Sequence, residues 1–135
     1  MGSGLASFQR RMRAIPRAAR QAVAPALVKA AYGVADTIEA LAPEDTGDLK
    51  GSVAVTPPGG TTPPYSQPGG SMRLPETTAA VTVGNSDVRY PHLVEYGTTK
   101  APAHPFFWPG FRLSRAKANR TIKVAIGKAI REAKR

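Results

Sequence analysis

A chain of 135 residues, 41% of them apolar, is one domain's worth and can bury one modest core. It has no cysteine, which excludes a disulfide framework, thiol catalysis and cysteine-ligated metal, and it has no apolar run approaching a membrane span or a secretion signal. Its net charge of +10 divides into +6 over residues 1–30, −4 over residues 31–111 and +8 over residues 112–135, a segregation that suits nucleic acid, a membrane surface, acidic protein neighbours or simply a solvated helix face.

At the N-terminus Leu5, Phe8, Met12 and Ile15 recur at helical spacing between Gln9, Arg10, Arg11 and Arg13, which predicts a helical arm over residues 1–16. Pro16 ends that arm or opens the next helix. From Arg17 to Leu41, the residues Val23, Leu27, Ala31, Val34, Ile38 and Leu41 hold one face among helix-favouring alanines, which predicts the longest helix. Pro25 either kinks it or marks its true start. Pro43 stops it, and Asp45 or Thr46 is placed to cap a single turn running through Gly47 to Leu49.

Val53 and Val55 then alternate with Ser52, Ala54 and Thr56, and later Ala79, Val81 and Val83 alternate with Thr78, Ala80 and Thr82. Both runs read as half-buried strands that pair antiparallel. Between them residues 57–76 carry Pro57-Pro58, Gly59-Gly60, Pro63-Pro64, Pro68, Gly69-Gly70 and Pro75, which predicts a long loop with neither strand nor helix. Tyr65, Met72 and Leu74 are its apolar anchors, expected to reach a neighbouring subunit instead of their own core.

Pro91 opens a short helical turn in which Leu93, Val94 and Tyr96 are expected to meet the core, and Gly97 closes it. From Tyr90 to Phe111 the prolines and the consecutive Phe106, Phe107 and Trp108 describe a rigid apolar elbow feeding a final helix. Past Pro109, the residues Phe111, Ala118, Ile122, Ala125, Ile126 and Ala129 form one stripe. Arg112, Lys117, Arg120, Lys123, Lys128, Arg131 and Lys134 fill the other side. Arg120, Lys123 and Lys128 are the candidate docking face, for acidic protein or for DNA approached without base recognition. The expected fold is α+β in a single domain over residues 1–135: a long helix, a small antiparallel sheet with a Pro/Gly-rich loop, and a basic amphipathic C-terminal helix.

Catalytic chemistry finds little support. His92 and His104 with Asp87 or Glu95 could supply three zinc ligands, but their spacing fits no ligand signature. Glu44, Asp45 and Asp48 read as turn formers, and no phosphate-binding glycine pattern occurs. No cofactor or metal and no enzymatic activity is expected. By residue type alone Glu95 is an exposed glutamate; its functional alternative is an ion pair or cap inside an assembly interface. Phe106, Phe107 and Trp108 read as core, with at least one free to face a neighbour.

Ala42-Pro43, Asp45-Thr46-Gly47, Leu49 and Ser52, followed by Tyr90, Glu95, Gly97, Thr98, Pro105, Phe106 and Pro109, stand in the order and at the separations of a small-protein family from tailed bacteriophages. The chain resembles the tail-completion, or minor tail component, family typified by the tenth gene product of HK-type lambdoid phages. That resemblance implies a non-enzymatic α+β virion subunit of the neck or tail-tube end, made in the host cytoplasm. The small core, the exposed Pro/Gly arm and the oppositely charged middle and ends predict a homo-oligomeric ring, expected to contact the head-tail connector, tail terminator and tail tube, close to packaged DNA and without a membrane partner. Two other classes compete: a non-specific nucleic-acid-binding protein, argued from charge, and a small enzyme using the histidine elbow.

Overall fold

The computed structural model describes residues 17–43 and 47–133. The predicted arm over residues 1–16 and the predicted caps Asp45 and Thr46 lie outside the described residues. The elements, in chain order, are α1 (Arg17–Leu41), α2 (Asp48–Gly51), β1 (Ala54–Thr56), β2 (Ala80–Thr82), α3 (Pro91–Tyr96) and α4 (Phe107–Ala133). The fold is α+β.

Helix α1 buries Val23, Leu27, Ala31, Val34 and Ile38, as its periodicity predicts. Pro25 lies inside it and does not mark its start. Pro25 and Gln21, whose carbonyl loses its intrahelical donor, are both exposed, so the proline sits on the solvent side of the helix, where its cost is lowest. Leu41, expected on the buried stripe, is 42% exposed, and Ala42 takes the core position instead.

Helix α4 runs antiparallel to α1. Near its start Phe107 joins Val34, Ile38 and Ala42 in one apolar cluster with Leu49, Val83, Val88 and Phe106. Near its end Ile126 and Ala129 join Ala19, Val23 and Leu27 in a second. The two helices touch most closely at Gly110, where an added Cβ would stand 2.7 Å from Ile38 Cγ1 and 2.8 Å from Ile38 Cα. Only glycine permits that approach. The buried stripe of α4 therefore begins at Phe107 and Gly110, and Phe111, predicted to belong to it, is 39% exposed.

The strands pair antiparallel with Val55 opposite Val81. The segment 57–76 departs from expectation, because it carries its own pairing. Thr61 bridges Arg73 and Gln67 bridges Val83, the latter through both backbone bonds, at 2.8 and 3.0 Å. The buried Thr62 hydroxyl donates to the Gly70 carbonyl (2.7 Å) and accepts from the Met72 N–H (2.8 Å), closing the loop on itself. Ser66 is fully buried and Leu74 is buried, so the loop packs on its own subunit.

Candidate assembly interface

The turn after β2 aims α3. Asn85 Oδ1 accepts from the N–H groups of Asp87 and Val88 (2.9 and 3.0 Å), an Asx turn. The buried Ser52 hydroxyl donates to Leu49 O (2.7 Å) and accepts from Gly84 N–H (3.0 Å), tying this turn to α2. Tyr90 then precedes α3 and its carbonyl accepts from Leu93 N–H.

Within α3 the buried residues are Pro91 and Glu95, with Val94 half-buried; Leu93 and Tyr96, expected in the core, are 46% and 69% exposed. Four-residue spacing puts Pro91 and Glu95 on one side of a helix, and that side wins because Glu95 has partners there. One of its oxygens, Oε1, accepts from the N–H groups of Phe106 and Phe107, both at 2.9 Å, and Oε2 accepts from Trp108 N–H at 3.3 Å. These are the free donors at the start of α4. Pro109 has no N–H to satisfy, and the next one, of Gly110, bonds to Phe106 O within the helix. Glu95 is thus neither an exposed glutamate nor an interface ion pair: it is a buried cap within the subunit, with its negative charge at the positive end of the α4 dipole.

Gly97 and Thr98 bring the chain back to that cap. Gly97 closes α3 with φ +77°, and a Cβ there would stand 2.8 Å from Ala103 N. Thr98 Oγ1 accepts from Lys100 and Ala101 N–H groups, Thr98 N–H donates to Ala101 O, and His104 N–H donates to Val94 O. The exposed Pro105 then leads into the fully buried Phe106.

Beside this buried cap lies an exposed aromatic surface. Trp108 Nε1 donates to Tyr96 Oη at 2.9 Å, and the Trp108 ring meets Phe107 and Phe111 edge-on at 5.1 and 6.2 Å. Trp108 is 37% exposed. A shallow slot opens next to it, bounded by Pro68, Pro91, His92 and Tyr96.

Of the other predicted residues, Gly47 precedes α2 in a left-handed conformation and Leu49 is in the first cluster. Tyr65 and Met72 are exposed, and Arg89 lies 3.8 Å over the Tyr65 ring. Leu74 is buried within the subunit and offers nothing to a neighbour. Arg120, Lys123 and Lys128 are exposed on α4. Sequence reasoning missed the surface shared by Tyr96, Trp108 and Phe111, because α3 and α4 have no common periodicity to signal it. Among the described residues, no group of three His, Cys, Asp or Glu is placed to hold a metal ion, and no helix is long and apolar enough to cross a membrane.

A family model described as "Bacteriophage HK97-gp10, putative tail-component" matches residues 6–97 of the 135. The chain belongs to this HK97-gp10-like family. It is therefore a structural component of a bacteriophage tail, a part of the virion whose contacts are with other tail proteins. No curated protein and no solved structure matches it. The family match takes in Tyr90, Glu95 and Gly97 and stops before Thr98, Pro105, Phe106 and α4. Glu95 is the physical link between the two parts, since its carboxylate lies inside the matched region and the helix start it caps lies outside.

Proposed function

We propose that this HK97-gp10-like chain is a single-domain subunit of a closed homo-oligomeric ring at the neck end of the tail, completing the tail where it meets the head. It is assembled in the host cytoplasm and performs no catalysis. The observation that carries this reading is the contiguous exposed surface of Tyr96, Trp108 and Phe111. Its aromatic rings are anchored by a buried cap and so are presented rigidly, at low entropic cost to a partner. A small subunit gains most from covering such a surface with another copy or an adjacent tail ring. Tyr65 and Met72, in the loop over residues 57–76, are the secondary contact.

Native mass spectrometry of the wild type and of a Tyr96→Ser/Phe111→Ser variant tests this. Both residues are exposed, so the variant should keep its helix content while closed multimers give way to monomers. A wild type that stays monomeric at all concentrations, or a variant that assembles unchanged, would refute the proposal.

A further inference from the structure

We infer that the outward face of α4 is a docking surface for duplex DNA, held through its phosphates without reading its sequence. Arg112, Lys117, Arg120, Lys123, Lys128 and Arg131, on the side away from the apolar stripe, are all exposed, and Glu132 is the one acid in the helix. Among the described residues the ion pair present is Arg17–Glu76 at 3.5 Å, so none of these cations is paired with a described acid of its own chain. From Arg112 to Arg131 the helix rises about 28 Å, and a duplex presents about 16 phosphate charges over that length.

A second copy cannot supply the counter-charge. Each copy brings +10, and among the described residues its exposed acids Asp36, Asp48, Glu76, Asp87 and Glu132 are scattered over α1, α2, the loop, the turn after β2 and the end of α4. Closing a ring of such subunits brings like charges together, and a polyanion relieves that repulsion. An acidic protein fits the face less well than DNA does. Protein interfaces are organised around an apolar centre, and beyond the aromatics of its first turns α4 exposes only Leu113 (71%) and Val124 (70%) as large apolar side chains. Ala116 and Asn119, both exposed and both short, keep the helix surface low between them, so flanking arginines and lysines can reach phosphates on either side. The amide of Asn119 adds a neutral donor that suits a phosphate oxygen. The face is a row of charges spread along the helix rather than a cluster fitted to base edges, so the contact is one of charge.

The test is fluorescence anisotropy of a labelled mixed-sequence duplex of about 30 bp, titrated with the full chain across a salt series. If these six cations contact phosphates, wild-type affinity should fall roughly 10³-fold between about 50 and 200 mM salt. Arg120→Glu/Lys123→Glu/Lys128→Glu should bind more weakly throughout and lose only about 40-fold over the same range. The corresponding Gln triple variant gives the same reading should the reversal disturb folding, which circular dichroism reports. No binding at about 50 mM salt, an unchanged salt slope in both variants, or a preference for one DNA sequence would overturn the inference. So would tighter binding to polyglutamate than to DNA at equal charge, which would assign the face to an acidic protein. Native mass spectrometry of the triple variant keeps this separate from the ring: closed multimers that have lost DNA binding support both readings, and DNA binding by a strictly monomeric wild type supports this one alone.

Discussion

Replacing Glu95 with alanine should undock the start of α4. The substitution leaves Phe106 and Phe107 N–H groups buried without acceptors and removes the longer bond to Trp108 N–H. An orphaned buried donor costs about 1–3 kcal/mol, so with the weaker third bond the expected loss is about 3–5 kcal/mol. That is a large share of the roughly 5–15 kcal/mol by which a domain is stable. Glutamine discriminates the cause. Its Oε1 can still accept from Phe106 and Phe107, while its NH₂ meets Trp108 N–H donor to donor and the charge at the helix dipole is gone. Glu95→Gln should therefore cost about 1–2 kcal/mol. Urea unfolding at low protein concentration, followed through Trp108, the chain's one tryptophan, reads both. Loss of less than about 1 kcal/mol in Glu95→Ala, or equal losses in the two variants, would refute the capping argument.

Gly110→Ala should lower thermal stability by about 1–3 kcal/mol despite alanine's better helix propensity, because its Cβ would stand 2.7–2.8 Å from Ile38 and must push α1 away; circular dichroism melting measures it. Ser52→Ala leaves one of the two acceptors of Gly84 N–H, at 3.2 Å from Ser52 O, and removes a buried hydroxyl bond; a loss of about 1 kcal/mol in urea unfolding is expected. Tyr65→Ala/Met72→Ser alters exposed loop residues only, so subunit stability should change by less than about 1 kcal/mol while incorporation into particles falls. Normal incorporation would remove the loop from the interface.

Periodicity makes α1 and α4 readable, because each has an apolar face that must be buried whatever the partner, whereas the strands bury Thr56 and Thr82 and leave Val55 and Val81 half-buried. The antiparallel pairing of the strands is as expected from the alternation, with Val55 opposite Val81. What escapes is settled by polar groups. A carboxylate on the buried side of α3 interrupts any apolar pattern, so residue type favours Leu93 and Tyr96 for the core, whereas the donors of Phe106 and Phe107 give that place to Glu95. The loop over residues 57–76 pairs through backbone bonds around Thr62 and Gln67, which no side-chain spacing announces. Leu74 reads from sequence as an anchor for a partner because nothing in its neighbours shows that it is buried within the subunit. The phage resemblance draws attention to Glu95, Gly97 and Thr98 before their geometry is visible, and the geometry gives them work inside the subunit: they hold α4 and the aromatic surface in place.

Electron cryo-microscopy of purified particles tests the ring most directly. The expected result is a closed ring of this subunit at the head-proximal end of the tail, with Tyr96, Trp108 and Phe111 covered at a subunit boundary. Particles that lack the protein, hold it as isolated copies, or leave that aromatic surface facing solvent would contradict it.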